Sequence, residues 1–180
     1  MKNKFFFNNI ALGFTALFAL NACSNIPKGA SAICSFEKEK YLGKWYEIAR
    51  LDFRFERNLN NTTATYSLRE DGKIRVDNRG FDTVNKIWKQ SIGKAKFAGD
   101  PNVAMLKVSF FGPFYAPYNV IALDQDYKYA LVAGKNLDYL WILSRETTIP
   151  ENIKKEYLQK AEKIGYKISD LVWVKHQSNR

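Results

Sequence analysis

The stretch Thr62-Thr63-Ala64-Thr65-Tyr66-Ser67-Leu68-Arg69-Glu70-Asp71-Gly72-Lys73-Ile74-Arg75-Val76-Asp77-Asn78-Arg79 decides the fold class. Its first arm alternates Thr62, Ala64, Tyr66 and Leu68 against Thr63, Thr65, Ser67 and Arg69. Its second arm alternates Ile74, Val76 and Asn78 against Lys73, Arg75, Asp77 and Arg79. A period of two sends successive side chains to opposite faces of a strand, and Asp-Gly between two such arms is hairpin-turn chemistry. The stretch is therefore a β-hairpin with one face toward a core and one toward water.

Working outward, the same alternation recurs: Gly93, Ala95 and Phe97 oppose Lys94 and Lys96, and Ala104, Leu106, Val108 and Phe110 oppose Lys107 and Ser109. Over residues 118–123, 129–133 and 139–143 both faces are largely apolar, so something must cover the outer one. The helical pattern from Pro150 to about Ile164 is the candidate, with Ile153, Tyr157, Ala161 and Ile164 on one stripe. Pro150 opens it and Gly165 closes it, while Glu151 and Lys163 sit at the ends that the helix dipole favours. The helix is predicted to pack outside, over the later strands.

Adding the strand around residues 43–53 and the Trp88 segment gives eight strands in meander order, with a short ninth near residues 171–174. The fold class is all-β: an eight-stranded antiparallel up-and-down β-barrel with one C-terminal α-helix packed outside. Closure removes exposed edges and leaves room for one small ligand. An open sandwich is the alternative.

At the N-terminus, Lys2 and Lys4 precede an apolar stretch over residues 5–20, which ends in Leu20-Asn21-Ala22-Cys23-Ser24. A charged region, an apolar region and small residues form a signal peptide, assigned to residues 1–22. A transmembrane anchor is the rival, but a span needs about 20 apolar residues, and Asn8 and Asn9 interrupt this shorter stretch. Residues 23–35 read as an N-terminal tether and residues 36–180 as one barrel domain. The formal charge of +10 falls by two when Lys2 and Lys4 are removed. For an exported chain this basic balance meets anionic lipid head groups before nucleic acid, which is not an expected partner; a generally solvated surface is the plainer reading.

The cysteine placed directly after Leu-Asn-Ala resembles a bacterial lipobox. That resemblance implies diacylglycerol on the Cys23 thiol, cleavage after Ala22, acylation of the new amine and, with serine rather than aspartate at position 24, the outer membrane. Several chains anchor firmly where one would not. Cys34 is then the remaining thiol, so no intramolecular disulfide forms; an unreactive thiol and an intermolecular pair are the two readings.

Three segments carry a family resemblance. Gly43-Lys44-Trp45, within Tyr41-Leu42-Gly43-Lys44-Trp45-Tyr46-Glu47, resembles the Gly-x-Trp signature of lipocalins; Asp124-Gln125-Asp126-Tyr127 resembles their second region, and Leu140-Trp141-Ile142-Leu143-Ser144-Arg145 the third. The resemblance covers residues 36–176. It implies that Gly43, Trp45 and Arg145 are structural, with the Arg145 guanidinium over the Trp45 indole closing the base of the barrel. It further implies a fatty acid or lysophospholipid as ligand, a role in storing or moving membrane lipids, and possible homodimerisation. No cofactor is expected.

From strand parity, the lining is predicted to include Ala49, Leu51, Ala64, Tyr66, Ile74, Val76, Val108, Phe110, Val120, Tyr139 and Trp141. These walls suit an acyl chain, each buried methylene contributing about 0.8 kcal/mol; the same side chains could equally fill the barrel as core. At the mouth, Arg54, Arg57 or Tyr115 could meet a phosphate or carboxylate, a membrane surface or another subunit. A lipocalin-fold enzyme is one rival, with Glu47 its candidate buried acid because it shares Trp45's parity. No Ser/His/Asp set or metal-spaced cluster accompanies it, and the single histidine, His176, lies near the C-terminal end. An envelope interaction protein with a filled barrel is the other rival.

Overall fold

The computed structural model describes residues 25–177, so the signal peptide and Cys23 lie outside the described residues. Nine antiparallel strands carry the chain: β1 (Gly43–Leu51), β2 (Leu59–Leu68), β3 (Ile74–Asp82), β4 (Ile87–Phe97), β5 (Met105–Phe111), β6 (Phe114–Leu123), β7 (Tyr129–Ala133), β8 (Leu140–Ser144) and β9 (Leu171–Trp173). A short helix, α1 (Lys38–Tyr41), precedes them, and α2 (Glu151–Ile164) lies between β8 and β9. Strands β2 to β8 pair in sequence order, β8 pairs with β1, and β1 pairs back with β2 to close an eight-stranded barrel. The ninth strand adds to the outer edge of β1 through Ala49↔Trp173 and Leu51↔Leu171.

The hairpin read first is β2–β3, with Tyr66 opposite Val76 and Leu68 opposite Ile74. Asp71 holds its turn, accepting the Lys73 backbone N–H at 3.1 Å and ion-pairing with Arg69 and Lys73. The Trp88 segment and residues 93–97 are one continuous strand, β4. Gly93 on this strand lacks a side chain for a packing reason: a Cβ there would sit 2.6 Å from the Ser109 carbonyl oxygen and 2.8 Å from the Phe110 ring. Leu68, assigned to the inner face, is instead largely exposed. It lies beyond Tyr66, the partner of the first residue of β1, so no wall stands opposite it.

Two apolar clusters result. One fills the barrel, from Phe36, Tyr41 and Trp45 at the floor to Val76, Leu106, Val120 and Val132 along the walls. The other lies outside, where Tyr157 and Ala161 of α2 cover Ile121, Leu131, Ala133, Leu140 and Ile142. This is the cover that the doubly apolar strands require. The Tyr157 hydroxyl donates to the Tyr129 carbonyl at 2.9 Å, and α2 ends at Gly165, whose N–H donates to the Glu162 carbonyl at 2.9 Å.

The second half of β1 departs from simple alternation. Glu47 pairs with Leu143, but Ala49 pairs with Ile142, so one extra residue on β1 faces β8 as a bulge. The bulge reverses parity. Ala49 and Leu51, predicted to line the interior, therefore lie in the outer cluster with Ile48, and Arg50 turns inward opposite Trp141. The backbone at the bulge is tied from outside: Val174 N–H donates to the Ile48 carbonyl at 3.0 Å, and the His176 ring bonds the Glu47 carbonyl at 2.8 Å.

The N-terminal arm lies against the barrel. Ile33 N–H donates to the Val120 carbonyl and Phe36 N–H to the Asn102 carbonyl, both at 2.9 Å, while Cys34 bridges to Val103 and is exposed.

Candidate functional site

The two ends of the barrel are built differently, one around Arg145 and Trp45 and the other around the loop that follows β1. At the first end the Arg145 guanidinium carbon lies 3.8 Å from the centroid of the Trp45 ring, which is wholly buried. Its nitrogens donate to four backbone carbonyls: Tyr127 at 3.2 Å, Lys44 at 2.8 Å, Lys40 at 2.8 Å and Leu42 at 2.9 Å. Trp45 Nε1 donates to the Tyr41 carbonyl at 2.9 Å. Gly43 is needed here twice over: its φ of +94° is a left-handed conformation, and a Cβ would approach Arg145 Nη1 to 3.3 Å. Asp124 organises the adjoining turn, its carboxylate accepting the N–H groups of Asp126 and Lys128.

Above this floor the hydroxyls of Tyr41 and Tyr118 lie 2.7 Å apart, and those of Tyr66 and Tyr118 lie 3.0 Å apart. Burial pushes the pKa of all three phenols up, so they persist as neutral hydrogen-bonding groups. Ala64, Tyr66, Ile74, Val76, Val108, Phe110, Val120 and Trp141 from the predicted lining all belong to the interior cluster or pack on it. Tyr139 stacks on Trp141, with centroids 6.3 Å apart, just outside β8 at the other end.

The polar group of the upper interior has no counterpart in the predicted lining. Arg50 is 1% exposed and Glu47 is 4% exposed. Arg50 Nη1 donates to Glu47 Oε1 at 2.6 Å, and Nη2 donates to the carbonyls of Glu56 at 2.6 Å and Leu59 at 3.1 Å. Its Nε, 3.8 Å from Glu56 Oε2, has no hydrogen-bond partner. Trp141 Nε1 donates to that same Glu56 oxygen at 3.0 Å. Burial, reinforced by the negative charge of Glu56, holds the Glu47 carboxyl well above the usual range despite Arg50. Burial raises Glu56 as well, against the opposing effects of Trp141 and Arg50. Two carboxyls thus share one guanidinium, which leaves an excess of negative charge when both are ionised. Glu47 was readable as inward from its parity with Trp45. Arg50 was not, because the bulge reverses its side, and Glu56 sits in the loop between β1 and β2, where no period applies.

At the mouth, Phe53 lies 5.7 Å, centroid to centroid, from both Tyr139 and Trp141. Arg54 lies over the Phe55 ring at 4.4 Å, and Arg57 pairs with Asp52 at 3.2 Å. Tyr115 meets Lys96, 4.8 Å from its ring. Lys96 belongs to the outward face of β4, so this contact places Tyr115 on the outside of the wall.

Residues 36–176 match a family model described as a lipocalin-like domain. The chain is 52% identical to outer membrane lipoprotein Blc of Citrobacter freundii, over 92% of this chain and 95% of that one. It is 53% identical to the protein of the same name in Escherichia coli, over 89% and 92% of the two chains. Among solved structures, insecticyanin from the tobacco hornworm Manduca sexta superposes with a TM-score of 0.69 at 18% identity, covering 86% of this chain and 88% of that one. This last likeness concerns the fold alone.

Proposed function

We propose, from the premise that this chain belongs to the lipocalin family, that its barrel reversibly takes up one single-chain amphiphile, tail toward the aromatic floor and head toward the mouth. The protein is a lipid-binding lipoprotein of the outer membrane that stores or moves lipids for membrane maintenance. Its relatives carry "outer membrane lipoprotein" in their names, which supports attachment through Cys23. The observation that carries the cargo reading is the polarity of the barrel along its axis. Arg145, Trp45 and Tyr41 seal one end, apolar side chains line the walls, and aromatic rings frame the other end. Such a lining gains from each methylene it removes from water and loses part of that gain to ordering the chain.

The Glu47–Arg50–Glu56 group favours one class of amphiphile over another. A fatty acid would bring a third carboxylate toward two carboxyls that share one cation, whereas the zwitterionic head of a lysophospholipid offers an ammonium as well. Lysophosphatidylethanolamine is therefore the better ligand, and palmitate the weaker.

Purified protein, extracted with organic solvent and examined by mass spectrometry, should release single-chain lipids, and quenching of tryptophan fluorescence should report their rebinding. Glu56→Gln should narrow the preference by raising affinity for palmitate several-fold. A protein that releases no lipid and binds neither amphiphile would refute the carrier reading, and favour a barrel filled by its own side chains.

A further inference from the structure

Three tyrosines above the floor carry more donors than they have acceptors to meet. Tyr41 comes from α1, Tyr66 from β2 and Tyr118 from β6. The Tyr118 oxygen lies 2.7 Å from that of Tyr41 and 3.0 Å from that of Tyr66, and the three hydroxyls make no other hydrogen bond among the described residues. Burial keeps each phenol protonated, so three O–H groups share two hydrogen bonds. Whichever way those two bonds run, one proton is left without an acceptor, and a buried donor without a partner is unfavourable. Ring packing holds the hydroxyls where they are: Tyr41 stacks on Tyr66 with centroids 5.6 Å apart and lies against Trp45 at 4.8 Å, and Tyr118 meets the Tyr66 ring edge-on at 6.2 Å.

The barrel interior reaches this triad. Asn78 pairs with Ala64 and with Ser91, and Ala116 pairs with Val108, so all five share the inward parity of Ala64 and Val108. Ser91 and Ala116 are nevertheless exposed, and Ala64, Val108, Phe110 and Tyr118 keep part of their surface. Side chains on the inner face of a closed barrel stay accessible where the interior is hollow, so free space runs down to Tyr118. Tyr41 and Tyr66, beyond it, are 4% and 8% exposed.

We infer that the Tyr41–Tyr118–Tyr66 triad is a subsite for an oxygen on the buried end of the ligand's tail, so that the barrel selects acyl chains hydroxylated near their ω end. The inference rests on the carrier reading above, with the tail toward the floor, and adds a preference among tails. A tail hydroxyl accepts the spare phenol proton and donates its own to a phenol oxygen, each of which has a lone pair to spare. A plain hydrocarbon end leaves the phenol proton unanswered. The sign of the effect is diagnostic, because a floor without such a group would bind the hydroxylated tail roughly tenfold more weakly, for the unpaired hydroxyl taken out of water.

The test measures binding of two series to purified wild-type protein by tryptophan fluorescence: saturated fatty acids of fourteen, sixteen and eighteen carbons, and the ω-hydroxy acid of each. At the chain length that brings the hydroxyl to the triad, the ω-hydroxy acid should bind several-fold more tightly than its parent. No gain at any length overturns the inference, whether water already answers the phenol proton or the acid enters carboxylate first. The triple variant Y41F/Y66F/Y118F keeps all three rings and removes all three hydroxyls, and at that same length the ratio of the two affinities should invert, to favour the parent acid. A ratio that the variant leaves unchanged also overturns the inference, and the wild-type series decides it without any variant. Protein that binds neither series refutes the carrier reading and this inference with it, whereas binding of the parent acids without a gain for their ω-hydroxy forms leaves the carrier reading standing.

Discussion

The barrel contains two arginine–tryptophan sites, one at each end, and they do opposite work. At the floor, Arg145 covers Trp45 and spends its donors on four backbone carbonyls, with no carboxylate among its hydrogen-bond partners. Toward the mouth, Arg50 stands in register with Trp141 but is held by Glu47 and the Glu56 loop, with Nε left over. The first site binds chain to chain, joining α1, β1 and the end of β8. The second keeps ionisable groups dry inside the upper barrel. The same two residue types thus seal or poise, according to whether carbonyls or carboxylates answer the guanidinium.

Removing the cation from each site should break the comparison most sharply. Arg50→Met leaves two carboxyls buried without their counter-ion and should cost about 3 kcal/mol in urea denaturation, since breaking a buried pair strands the remaining charge. Arg145→Ala should cost about 2 kcal/mol by the same measurement, for the lost stacking and hydrogen bonds at a half-buried site that water can partly rescue. Full retention of stability in Arg145→Ala would refute its role as the closure of the base.

A smaller effect is a pH dependence that belongs to the mouth site alone. Glu47 has a higher pKa folded than unfolded, so the folded state binds its proton more tightly and this contribution to stability is complete below the ordinary glutamate range. It is lost as pH rises from about 4.5 through the raised folded value. Glu47→Gln, which keeps an oxygen for Arg50, should flatten the stability profile over that interval. An unchanged slope would show that the pair does not hold the proton. The smallest expected effect is at the rim: Phe114→Ser should change stability by less than about 0.5 kcal/mol, because an exposed side chain has little packing to lose.

The floor was legible in the sequence and the mouth site was not. Trp45 and Arg145 each end a stretch whose motif is contiguous along the chain, and their partners lie on the same segments or immediately beside them. Arg50 looked outward, because alternation carried on from Trp45 places Ala49 and Leu51 inside. The bulge between Glu47 and Ala49 is defined only against β8, nearly a hundred residues later. Ala64, Tyr66, Ile74 and Val76 face the interior, as alternation predicts, because β2 and β3 keep regular register over those residues, the irregularity in β2 falling earlier, between Asn60 and Thr63.

By itself the sequence determined the strand order and the covering helix, and its resemblance to the lipocalin motifs implied the base. Each follows from a local period or a local motif, and a period of two or 3.6 needs no knowledge of the partner. Only the tertiary structure decided which side of β1 faces inward beyond Glu47, that Glu56 folds back onto Arg50 and Trp141, and that the N-terminal arm lies against β6 and the β4–β5 turn. Those outcomes depend on barrel closure, which brings distant strands into register and sets where an extra residue or an aperiodic loop must go.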